Sequence, residues 1–155
     1  MKKRIVPIEQ MDESAGDWLD LGALAEVEVS SENPAHPIEA ALVSGHETGW
    51  RAGTPGRQVI RLLFASPQNV TRIQLHFEEK SVERTQEYAL RWSPERDVPC
   101  REIVRQQWNF NPTGATVEIE DHRVDLPPVA VLELIIDPGS ESQAVFASME
   151  RMRVG

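Results

Sequence analysis

The residues able to do chemistry are dispersed along the chain. Histidines stand at positions 36, 46, 76 and 122, and no pair has the spacing with which a strand or helix presents two zinc ligands. His46 and Glu47 are neighbours in a polar stretch, but a metal there would need further ligands preset in number and geometry. Serines, histidines and acids are all present, yet no nucleophile elbow or glycine-rich phosphate loop gathers them. The single cysteine, Cys100, lies between Pro99 and Arg101. A nearby cation can depress a thiol pKa, but a lone loop cysteine is usually incidental. One cysteine also excludes an intrachain disulfide and any cysteine metal cluster. The expectation is a non-catalytic protein with no cofactor and no metal.

What remains is polar recognition. Arg84-Thr85-Gln86-Glu87 and Arg101 with Arg105-Gln106-Gln107 set arginine and glutamine beside aromatic residues. If these segments pair, Arg84, Gln86, Arg105 and Gln107 form a patch for hydroxyls or a carboxylate, because a guanidinium is a rigid fork of donors. The alternative is a solvated sheet face of Arg–Glu pairs, each contributing little. Aromatic rings that stack on sugar faces are the other means of recognition. Trp92 shares the parity of Tyr88 and Leu90, and Trp108 that of Val104 and Phe110, so both read as core. Trp18 is the least constrained and is free to be exposed.

The elements that must position these residues are short. Ala25, Val27 and Val29 alternate with Glu26, Glu28 and Ser30, which predicts a half-buried strand. Pro37 opens a short helix over residues 38–42 that Gly45 ends. Trp18, Leu19, Leu21 and Leu24 make a weak helical stripe interrupted by Gly22. Apolar segments then follow at 58–64, 70–77, 88–92, 103–110, 117–126, 129–136 and 146–154, most of them closed by proline or glycine. About eight strands and one short helix predict an all-β fold, a two-sheet antiparallel sandwich or jelly roll. Ile73, Leu75 and Phe77 share one face. Between Val117/Ile119 and Val124/Leu126 the apolar parity reverses, which predicts a bulge or bend near Asp121.

Composition fits this. The 155 residues suit one core, and 11 prolines with 9 glycines suit a protein of turns and short strands. Residues 1–23 read as an arm or edge segment and 24–155 as a single domain. A net charge of −9 argues against bulk nucleic acid and anionic membrane as partners. The basic start, Met-Lys-Lys-Arg, is followed by no apolar run of signal-peptide length, so a cytoplasmic location is expected. Sandwich edges invite pairing, so a monomer and a homodimer are both open.

Several motifs add a resemblance. Ser30-Ser31-Glu32, His36-Pro37-Ile38-Glu39-Ala40-Ala41-Leu42, Gly49-Trp50-Arg51-Ala52 and Pro55-Gly56-Arg57-Gln58-Val59-Ile60 resemble the opening of discoidin, or coagulation factor type C, domains with the galactose-binding-like fold. Phe146-Ala147-Ser148-Met149-Glu150-Arg151-Met152-Arg153-Val154 is similar to their last strand. The stretch around Trp50 also resembles the N-terminal domain of an intracellular DNA-repair scaffold. The resemblance implies that Trp50 plugs one end of the sandwich. It places a ligand at the end loops, where Arg51 and His46 are candidates beside the Arg84, Gln86, Arg105 and Gln107 patch. A carbohydrate or other polyhydroxylated ligand is the first class of partner it implies, and an intracellular protein partner the alternative.

Sugar-binding relatives often hold a structural calcium between the loop before the tryptophan and a glutamate of the last strand. Here the loop acid is replaced by Val43 or Ser44, and the glutamate position falls on Arg151 with Glu150 one residue away. Calcium needs several hard oxygen ligands, and a cation in its cage repels it. Arg151 is therefore expected to bond the loop carbonyls in the ion's place.

Overall fold

The computed structural model describes residues 2–5, 18–43, 45, 48–139 and 144–155. Within them run α1 (Leu21–Leu24), β1 (Ala25–Val29), α2 (Glu39–Leu42), β2 (Trp50–Arg51), β3 (Gln58–Glu78), β4 (Arg84–Ser93), β5 (Arg101–Phe110), β6 (Val117–Asp137), β7 (Ser148–Met149) and β8 (Arg151–Val154). The expected all-β architecture is present, and every strand pair is antiparallel.

Two of the expected strand breaks are bends instead. Residues 58–64 and 70–77 belong to one strand, β3, and residues 117–126 and 129–136 to another, β6. The β3–β6 register slips between Leu63 and Arg72, across Ser66-Pro67 and facing Pro127-Pro128. A proline has no N–H for the ladder, so sheets tolerate it at bulges, where the strand turns. Both strands therefore pass from one layer of the sandwich to the other. Their outer halves join β1, β4 and β5 in the order β1-β3-β6-β4-β5, and their other halves pair with each other and with β8. A separate ribbon, β2 with β7, closes one end.

Between the layers lie Leu62, Phe64, Ile73, Leu75, Phe77, Leu90, Leu132 and Leu134, all buried. The rings of Phe77 and Tyr88 meet across this space with centroids 5.5 Å apart. Leu21 of α1 and Ala41 of α2 join the same cluster.

The predicted bulge near Asp121 is absent. Pairing runs unbroken from Arg72 opposite Arg123 to Glu78 opposite Val117. That register is fixed by Ile73, Leu75 and Phe77, which bury one face of β3, so the partners opposite them also point inward. Glu118 faces the interior beside Phe77, while Val117 and Ile119 face solvent. A continuous ladder outweighs the exposure of two aliphatic side chains.

Candidate functional site

One end of the sandwich is built around two fully buried side chains. Trp50 donates from its indole Nε1 to Ser31 O at 3.1 Å. Gln58, 2% exposed, accepts at Oε1 from Ser30 Oγ and Ser31 Oγ and donates from Nε2 to Thr54 O. An amide that satisfies both its donor and acceptor sides inside the fold pins the loops it bridges. These loops carry Arg51. Backbone bonds complete the frame: Arg51 N–H donates to His36 O, Asn33 N–H to Arg51 O, and Ala52 N–H to Ala147 O.

Arg51 stands opposite Ser148 in the β2–β7 ribbon. Alternation along residues 146–149 buries Ala147 and Met149 and turns Phe146 and Ser148 outward. Phe146 is 44% exposed, an unusual position for a ring this large. Across from it, the β3–β4 turn is held by Glu79, which accepts from Arg84 Nε at 2.9 Å and from Ser81 N–H at 3.2 Å. Lys80 extends from that turn into solvent beside Glu78. Together these walls enclose an open cleft of about 460 Å³, lined by Arg51, Lys80, Phe146, Ser148 and three carboxylates, Glu78, Glu79 and Glu150. A partly exposed aromatic ring among hydroxyl-bonding groups of both signs suits a small polyhydroxylated ligand.

The expected site residues fall into three groups. Arg51 lines the cleft, and His46 lies outside the described residues. The four-residue patch is divided between two faces, although β4 and β5 do pair. Arg84 and Gln86 point into the sandwich and are buried, while Arg105 and Gln107 are on the outer face and exposed. Opposite residues on paired strands share a face. Arg84 is matched with Phe110 and Gln86 with Trp108, whereas Arg105 faces Ala89 and Gln107 faces Glu87. Arg105 is an exposed cation paired with Glu87 and Glu102, which matches the solvated-face alternative. Sequence spacing does not single out Phe146, Lys80 or Glu79. The alternation of Phe146 and Ser148 with Ala147 and Met149 carries the signal for the first of them.

The inward residues make a buried polar network. Arg84 Nη1 donates to Gln86 Oε1 at 3.1 Å and to Pro138 O at 2.9 Å, with its guanidinium over the Phe110 ring. Gln86 Nε2 reaches Glu118 Oε1 at 3.4 Å. Glu118 Oε2 and Arg84 Nη2 have no hydrogen-bond partner. Burial, and then the adjacent Glu120 carboxyl, push the Glu118 carboxyl up to about 7. Next along this face, Tyr88 Oη lies 2.7 Å from His122 Nε2, and burial keeps the phenol protonated. The network joins the two layers and anchors the β3–β4 turn through Arg84 and Glu79.

The tryptophans divide as well. Trp50 and Trp92 are buried, Trp108 is half-buried against the core, and Trp18 is half-buried beneath the guanidinium of Arg72, 4.6 Å from its ring centroid. None offers the platform that Phe146 does.

Arg151 makes the contact expected of it, donating from Nη1 to Val43 O at 3.1 Å. Glu150 sits at the break between β7 and β8, and lines the loop-end cleft. A guanidinium on the loop carbonyl and a carboxylate turned elsewhere do not fit a calcium site. Among the described residues no group of three or more His, Cys, Asp or Glu side chains could hold a metal ion. The expected result is a melting temperature that moves neither with chelator nor with added calcium. Arg151→Met is expected to lower stability by about 1–2 kcal/mol as the guanidinium and its bond to the Val43 carbonyl are lost, a loss that calcium does not restore; rescue by the ion in a thermal melt would contradict this.

Solved structures share the fold. A module of CpGH89 from Clostridium perfringens, CBM32-5, in complex with GalNAc-beta-1,3-galactose, superposes with a TM-score of 0.64 at 17% identity, covering 89% of this chain and 99% of that one. The family 32 carbohydrate-binding module of Clostridium perfringens NanJ in complex with galactose gives 0.55 at 16% identity, with 84% and 92% covered. Chitosan-binding module 1 of a chitosanase/glucanase from Paenibacillus sp. IK-5 gives 0.62 at 17% identity, with 88% and 98% covered. No family model matches the chain, and no curated protein matches it by sequence. The fold is thus the galactose-binding-like β-sandwich of discoidin-type modules.

Proposed function

We propose that this chain is a non-catalytic carbohydrate-binding module whose loop-end cleft holds a neutral or amino sugar. The observation that carries the reading is Phe146, an exposed ring on the wall of a polar cleft. The C–H face of a pyranose packs on such a ring, while hydroxyls bond Arg51, Lys80, Ser148 and the carboxylates. Three carboxylates against two cations make the cleft net acidic, which disfavours an anionic sugar. The solved modules of this fold add support, since one is in complex with GalNAc-beta-1,3-galactose, another with galactose, and a third is a chitosan-binding module.

A titration of the wild type and of Phe146→Ala with galactose, N-acetylgalactosamine and chito-oligosaccharides tests this. Saturable binding of at least one sugar is expected, weakened about tenfold or more by the loss of the ring contact. Phe146 is exposed, so the melting temperature is expected to stay put. Unchanged affinity in the variant would remove the cleft from the account.

A further inference from the structure

The outer face of the five-stranded layer carries a second concavity. A row of charges crosses it in register: Glu28 on β1 opposite Arg61 on β3, Arg61 opposite Glu133 on β6, and Glu133 opposite Arg91 on β4. Glu133 is the buried keystone, 5% exposed. Its Oε2 accepts from Arg61 Nε and Nη2 at 2.9 and 2.7 Å, and its Oε1 lies 3.4 Å from Arg91 Nη1. Arg91 Nη2 is further fixed on Cys100 O at 2.9 Å. Leu63 and Val131 form the apolar floor beside this row, and the β4–β5 loop supplies Val98, Pro99 and Cys100 as a wall with Arg96 at the rim. The enclosed groove measures about 450 Å³, within the range of about 300–1,000 Å³ typical of small-molecule sites.

We infer that this groove is a second ligand site, one that takes a carboxylate-bearing sugar such as a uronic acid residue of an acidic glycan. Three arginines face it against two glutamates, on a chain whose net charge is −9. Both oxygens of Glu133 are already engaged, so it holds the guanidinium groups in place instead of competing for the ligand. Arg61 and Arg91 line the groove and are each more than a third exposed; Arg61 Nη1 also donates to Glu28 Oε1 at 3.1 Å, and each terminal guanidinium nitrogen carries a second N–H beyond the one its partner takes. Guanidinium forks match a carboxylate in geometry as well as charge. The floor of Leu63 and Val131 and the wall of Val98 and Pro99 suit the ring carbons of a sugar and offer a bare inorganic ion nothing. The site is separate from the loop-end cleft. Arg91 lies seven residues along β4 from Arg84, roughly 23 Å at the rise of a strand.

Cys100 lines the groove and is the single cysteine, so its reaction with a thiol reagent reports on this site alone. The experiment measures the rate of Cys100 modification in folded wild-type protein against increasing tri-galacturonate and, separately, neutral galactotriose. Tri-galacturonate is expected to slow modification several-fold and saturably, and galactotriose to leave it unchanged. Arg91→Ala is expected to weaken the protection about tenfold, and Phe146→Ala to leave it intact. Absence of protection in the wild type overturns the inference without touching the loop-end reading. Equal protection by the neutral sugar overturns the carboxylate assignment. Loss of protection in Phe146→Ala would place the acidic sugar in the loop-end cleft and likewise overturn the second site. Because the wild type alone gives a decisive readout, a poorly folded Arg91 variant does not stall the test.

Discussion

Replacing Glu118 with glutamine is expected to stabilise the protein by about 3 kcal/mol above pH 7 and to change little near pH 4. Glu118 is 1% exposed and faces Phe77 and Gln86 across the interior. Burial first, and the neighbouring Glu120 second, raise its carboxyl in the folded state to about 7 from an ordinary 4.5. The folded protein therefore binds a proton more tightly than the unfolded chain does. Stability from this group is full below about pH 4.5 and is lost as the pH rises through about 7. Glutamine keeps the shape, accepts from Gln86 and offers an N–H to Glu120, but never ionises. Denaturant unfolding of both proteins at a series of pH values from 4 to 8 checks this. Their stabilities should coincide at the acid end and diverge upward; parallel curves would mean that Glu118 is ionised at no cost inside the sandwich.

The second large effect belongs to Trp50. It is 1% exposed, donates to Ser31 O, and lies under the loops that hold Arg51. Trp50→Ala removes a full indole from the end of the core, a change that costs about 3–5 kcal/mol. The Ser31 carbonyl loses its partner as well. For a domain held by about 5–15 kcal/mol, this takes away much of the margin and lowers the melting temperature by about 10 °C or more. Trp50→Phe keeps most of the apolar volume and loses the N–H, so its loss should be clearly smaller. Calorimetric melts of the three proteins decide the matter. A small drop for alanine would mean that the loops are held chiefly by Gln58 and its partners.

Much of the fold was legible because alternation and turn residues speak directly to a β-sandwich. Ala25 to Val29 and Ile73 to Phe77 keep the faces that their spacing predicts. Two things were not legible. Ser66-Pro67 and Pro127-Pro128 look like strand ends, yet each marks a bend within a strand shared by both layers, because only pairing across the chain decides whether the ladder resumes. Parity also misleads at Val117 and Ile119, whose apolar character predicts an inward face; the partner strand sets the register and turns them to solvent. The candidate site was legible in part. The motif around Trp50 points to Arg51, which lines the cleft, whereas Arg84, Gln86, Arg105 and Gln107 do not share a face. Residue type does not reveal which polar side chains will be buried, and Arg84 and Gln86 find their partners in Glu79, Pro138 and Glu118. Phe146 was hidden within a segment read as one closing strand, which in fact begins two residues later and breaks at Glu150.

The most direct measurement of the central claim is a nuclear magnetic resonance titration of isotopically labelled protein with a neutral hexose and its N-acetylated amine. Saturable shifts are predicted at Arg51, Lys80, Phe146 and Ser148, with the outer-face residues Arg61 and Arg91 unmoved. Shifts confined to residues away from the loop-end cleft, or none at millimolar sugar, would contradict it.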